Sequence, residues 1–133
     1  MIMRALAAGA AVLVVAGSAL AASDWAAPQL ADMDASGFGA PVEGMTFEGS
    51  APRGKNGRVA VVVPADGRYA FVAACGEDCA DVGLILQKGG RTVAEGVPGF
   101  RADLNAGAHV LHVGFDRCPE AQCRYVVRAY RAG

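Results

Sequence analysis

The chain has 133 residues, with 12 Lys and Arg against 13 Asp and Glu and a formal net charge of −1. That balance excludes the concentrated basic surface a nucleic-acid partner requires. Four cysteines and 18 glycines stand out, and the length suits one small domain near the size where covalent bridges help stability.

Residues 1–21 read as an export signal. Met1-Ile2-Met3-Arg4 is short and positive, an apolar run from Ala5 to Val15 follows, and Ala19-Leu20-Ala21 supplies a small-x-small cleavage site. Cleavage there leaves 112 residues starting at Ala22, with 11 Lys and Arg against 13 acids, a net of −2. No cysteine adjoins the site, which argues against a lipid anchor. An uncleaved anchor is the alternative, but the run is short and alanine-rich. No later segment approaches the roughly 18 apolar residues of a membrane span. The expected location is the periplasm or the exterior, reached through a cleaved bacterial signal peptide.

Residues 22–44 carry Asp24, Asp32, Asp34 and Glu43, no Lys or Arg, and several Gly, Ala and Pro. With neither a helical nor a strand period, this segment reads as a flexible acidic leader. The domain itself is expected over 45–133. Thr46-Phe47-Glu48 marks a short first strand, and a turn through Arg53-Gly54-Lys55-Asn56-Gly57 leads to Arg58–Val63. Pro64-Ala65-Asp66-Gly67 then turns into Arg68–Cys75, followed by Val82–Gln87, a Lys88-Gly89-Gly90 hairpin turn and Arg91–Glu95. Phe100–Leu104 is a weaker strand, Asn105-Ala106-Gly107 a turn, and Ala108–Phe115 and Cys123–Arg131 complete the series. About seven or eight short strands predict an all-β fold, a small antiparallel β-sandwich of jelly-roll-like type.

Alternation gives a provisional core. Tyr69, Phe71, Ala73 and Cys75 share one strand face, as do Val82, Leu84 and Leu86, Leu111, Val113 and Phe115, and Tyr125 with Val127. Several strands are apolar on both faces, so alternation alone leaves their inner face open.

The cysteines form two tight pairs, Cys75-Gly-Glu-Asp-Cys79 and Cys118-Pro-Glu-Ala-Gln-Cys123. In an exported chain they are expected to form disulfides. If successive strands run up and down, both cysteine loops fall at one end of the sandwich. Local pairing, Cys75–Cys79 and Cys118–Cys123, is favoured because the loop ends already lie close; pairing between the loops stays open. A four-thiolate zinc site would need reduced thiols, and a redox-active pair would want a C-x-x-C at a helix start, so neither fits well. The same loops gather Glu77, Asp78, Asp81, Asp116 and Glu120. Five carboxylates at one end form a candidate calcium site, although a solvated acidic rim balanced by Arg117 and Arg124 is the simpler reading.

Catalytic machinery is not legible. Ser23, Ser36 and Ser50 precede most of the strands and none lies in a G-x-S-x-G elbow. His109 and His112, three apart on a strand, point to opposite faces and are poorly placed to share a metal. No cofactor is expected.

The stretches Gly67-Arg68-Tyr69-Ala70-Phe71-Val72 … Cys75 … Asp78-Cys79-Ala80-Asp81-Val82-Gly83-Leu84-Ile85-Leu86 and Ala106-Gly107-Ala108-His109-Val110-Leu111-His112-Val113 … Cys118 … Cys123-Arg124-Tyr125-Val126-Val127 resemble the bacterial pre-peptidase C-terminal (PPC) domain. The likeness is to a cysteine-paired variety found as short exported proteins of unknown function, and it covers about residues 46–131. It implies a β-sandwich accessory module without chemistry of its own. Gly83 stands where the family's D-x-D-L pattern has its second acid, leaving Asp81 alone, and His109 stands where an aromatic is usual. The expected function is therefore a non-catalytic exported module that binds an envelope protein or polymer, with calcium binding or a small hydrolase as alternatives.

Overall fold

In a computed structural model, which describes residues 23–76 and 79–132, the chain is an eight-stranded antiparallel sandwich preceded by one helix. After helix α1 (Ala26–Asp34) come β1 (Ala40–Pro52), β2 (Gly57–Val63), β3 (Gly67–Cys75) and β4 (Ala80–Lys88). β5 (Arg91–Gly96), β6 (Gly99–Leu104), β7 (Gly107–Arg117) and β8 (Gln122–Arg131) follow. One sheet has the order β1-β8-β3-β6 and the other β2-β7-β4-β5. The expected strands all form, most extended by a residue or two. The Gly89-Gly90 turn joins β4 to β5 with both glycines at positive φ, 59° and 80°, as a two-residue hairpin of matching twist requires.

The two inner faces meet in a core of Val61, Tyr69, Phe71, Leu84, Leu86, Leu111, Val113 and Val127, each at most 1% exposed. Val82, Leu84 and Leu86 point inward together, and so do Tyr69, Phe71 and Ala73, as alternation predicts. Pairing of Ala80 with Arg117, and of Cys75 with Tyr125, brings the Cys75–Cys79 and Cys118–Cys123 loops to the same end. Arg53 ties the β1–β2 turn to that end, donating from Nη1 to the Pro119 carbonyl at 2.8 Å and from its backbone N–H to Ala121 at 2.9 Å.

Within the flexible leader expected over residues 22–44, the described residues 23–44 differ from that expectation. Ala26–Asp34 is a helix, and β1 already begins at Ala40. Ala26, Leu30 and Met33, spaced four and three apart, bury one stripe against Ala70, Val126 and Tyr130 on the outer face of β3 and β8. Pro28 is tolerated because it falls in the first turn, where its missing N–H has no intrahelical partner to lose. The packed helix also explains why β3 and β8 are apolar on both faces. Their outer face is a second, smaller core. Residues 1–21, read as a signal, lie outside the described residues.

Candidate functional site

The helix packs on the outer face of the β1-β8-β3-β6 sheet, and among the described residues nothing comparable covers the other one. Among the described residues the exposed large apolar side chains are Val62, Ile85, Val93 and Val97, and all four belong to the β2-β7-β4-β5 sheet or the connection leaving it. On this open face Gly83 pairs with Gly114, and Ile85 pairs with both His112 and Glu95. The glycine pair leaves a strip of bare backbone between taller side chains. A groove of about 380 Å³ results, with Ile85 and Val97 as apolar surface and Asp81, Glu95, Asp116 and His112 around it.

Each wall is set by local structure. Asp81 lies between the pairs Ala80–Arg117 and Val82–Phe115, which puts it at the level of Asp116 on the neighbouring strand. Its φ of +55° is a left-handed conformation that Asp tolerates better than most side chains. Two like charges at one level of a sheet repel, and neither is in an ion pair among the described residues. His112 donates from Nε2 to Gln87 Oε1 at 3.0 Å, which leaves Nδ1 as an acceptor in the neutral ring. Val97 leans over Gly83, where a Cβ would come within 3.1 Å of its Cγ2. A residue without a side chain at position 83 suits this close approach.

The sequence-predicted residues separate. Cys75–Cys79 and Cys118–Cys123 are bonded locally, with Cα atoms 5.8 and 6.1 Å apart. Asp81 and Asp116 line the groove, Glu120 sits half-buried in the Cys118–Cys123 loop away from it, and Glu77 and Asp78 lie outside the described residues. No group of three or more His, Cys, Asp or Glu among the described residues is placed to hold a metal ion. His109 and His112 do face opposite ways. His109 is 4% exposed on the core side and donates from Nδ1 to the carbonyl of Gly107 at 2.8 Å, a structural role. Glu95 and His112 join Asp81 only through strand register, which spacing in sequence does not reveal.

No protein-family model matches this sequence, and neither does any curated protein. Among solved structures the chain is similar to a periplasmic inhibitor of g-type lysozyme from Aeromonas hydrophila, PliG. The match has 15% identity and a TM-score of 0.45, and covers 68% of this chain and 93% of that one.

Proposed function

We propose that this chain is an exported, non-catalytic module that uses the open face of its β2-β7-β4-β5 sheet to bind an envelope protein. The observation that carries the reading is asymmetry. One outer face carries the chain's own helix, while the other carries the exposed large apolar residues of the described chain, two of which, Ile85 and Val97, line a groove. Asp81, Glu95 and Asp116 at that groove favour a partner that presents a basic side chain between apolar ones. The two disulfides fit an oxidising compartment. Non-catalytic is the reading because His109 is buried against its own strand and His112 is engaged by Gln87. The likeness to the PPC domain points the same way, toward an accessory module.

The test is capture from envelope extract, with purified g-type lysozyme as one defined prey. The unaltered protein is expected to retain one reproducible partner, and retention should weaken as salt rises. The Asp81→Asn/Asp116→Asn pair and Ile85→Asp should each release that partner, while Ala27→Asp on the exposed side of the helix should not. Equal capture by all of these proteins contradicts the proposal.

A further inference from the structure

A sandwich of two open sheets has four edge strands, here β1 and β6 in one sheet and β2 and β5 in the other. Exposed edges invite pairing with another chain, and three of these four carry devices against it. β1 has Pro41, Pro52, Glu43 and Glu48, and its register shifts between Pro41 and Thr46. β5 is six residues long, carries Arg91 and Glu95, and pairs irregularly with β4 past Leu86. β6 is equally short, at six residues, and carries Arg101 and Asp103.

β2 has one such charge, Arg58, and no other device. It reads Gly-Arg-Val-Ala-Val-Val-Val over seven residues, in unbroken register with β7, without proline, bulge or acid. Among the described residues its backbone is paired with β7 alone, so the opposite side of the strand is free. Val61 and Val63 point into the core, whereas Arg58, Ala60 and Val62 face out, Val62 being 68% exposed. A run this rich in β-branched residues and this poor in charge is a strong pairing segment.

We propose that β2 is a homodimer edge, on which a second copy of this chain lays its own β2 antiparallel and joins the two four-stranded sheets into one of eight. The occupant is a second copy because the strand is complementary to itself about Ala60. Centred there, Ala60 faces Ala60 of the partner subunit, Val59 faces Val61 of the partner subunit, and Arg58 faces Val62 of the partner subunit. The small alanine sits at the axis, where identical side chains must approach closest. The two Arg58 charges stand at opposite ends of the seam, and each aliphatic stem covers the valine opposite it. A formal net charge of only −2 on the cleaved chain, 11 Lys and Arg against 13 acids, adds little repulsion between copies.

Sedimentation of the purified exported protein over a range of concentrations tests this. A monomer–dimer equilibrium is expected. Ala60→Lys and Ala60→Glu should each lose the dimer, because either sets like charges against each other at the axis. Mixing the two variants should restore it as a heterodimer, a result that reports the register itself. Ala60 is exposed, so both variants should melt at the midpoint the unaltered protein shows at concentrations where it is monomeric. Amide exchange at residues 58–62 of the unaltered protein should slow as concentration rises, a readout that needs no variant. A monomer at every concentration with exchange that does not change overturns the proposal. So does a dimer that survives both variants, or a mixture that stays monomeric.

Discussion

Tyr125 shows how one side chain dictates residue choice on two other strands. It is 5% exposed, and burial pushes its phenol pKa up. Its side chain leaves no room beside it, since a Cβ on Gly49 of β1 would lie 2.6 Å from the phenol oxygen and one on Gly57 of β2 would lie 2.6 Å from Cε2. Gly57→Ala should therefore cost about 1–3 kcal/mol through overpacking, measured by urea unfolding. Pairing it with Tyr125→Leu should recover part of the loss, a coupling that a double-mutant cycle reads. Asp81 is governed by backbone instead. At φ +55°, Asp81→Val should cost about 1–2 kcal/mol, whereas Asp81→Asn, which tolerates the same conformation, should unfold within about 0.5 kcal/mol of the unaltered protein. The asparagine variant thus removes one of the three groove carboxylates without disturbing the fold.

Helix α1 is held by a stripe of apolar side chains and by one polar tie. Tyr130 donates to Asp34 Oδ1 at 2.6 Å, and Arg128 donates to Asp34 Oδ2 at 2.7 Å and to Thr46 Oγ1 at 2.8 Å. Burial works to raise the Asp34 pKa, but the hydrogen bonds from Tyr130 and Arg128 and the Arg128 charge outweigh it and hold the carboxyl below its ordinary 3.8. Burial, and then the bond to Asp34, raises the Tyr130 phenol above its ordinary 10.0. A lowered folded pKa makes the Asp34 tie fully stabilising above the unfolded value near 4 and loses it as pH falls through the folded value. The raised Tyr130 value has the opposite sign: stability drops as pH rises above about 10. Trp25, the single tryptophan, lies under Arg124 next to the helix and reports docking by fluorescence. Its signal should change below pH 4 in the unaltered protein, and much less so in Asp34→Ala, whose tie is already gone. Leu30→Ala should cost about 2–4 kcal/mol, read from urea unfolding.

Most strands were legible because they are apolar runs of five or more residues between glycine, proline or asparagine turns, whereas only Thr46-Phe47-Glu48 of the strand Ala40–Pro52 was marked. The helix was not. Its buried stripe is only Ala26, Leu30 and Met33 in an alanine-rich background with Pro28 inside, too short for a period to rise above composition. The two-faced apolarity of β3 and β8 was the available signal, since a second apolar face needs a cover.

At the scale of the whole molecule, the two disulfides close one end of the sandwich while the core lies between the sheets. Digestion without reductant should yield Cys75–Cys79 and Cys118–Cys123 as separate bridged peptides. Each bridge closes a small loop, for which chain entropy gives about 2 kcal/mol. Reduction should therefore lower the melting midpoint while the strand signal in circular dichroism persists below it. Counting strands was enough to place Asp81 and Asp116 near each other at that end. It could not bring in Glu95 and His112, which depend on the register of Ile85 against two neighbouring strands. Nor could it distinguish a covered outer face from an open one without the helix.

Site-specific photo-crosslinking reads out whether a partner docks on the open face. A crosslinker placed at Ile85, in the groove, is to be compared with one at Ala27, on the exposed side of the helix, in envelope extract. One discrete adduct is expected from Ile85, lost in the Asp81→Asn/Asp116→Asn background, and none from Ala27. The same adduct from both positions, or one from Ala27 alone, would contradict docking on the open face.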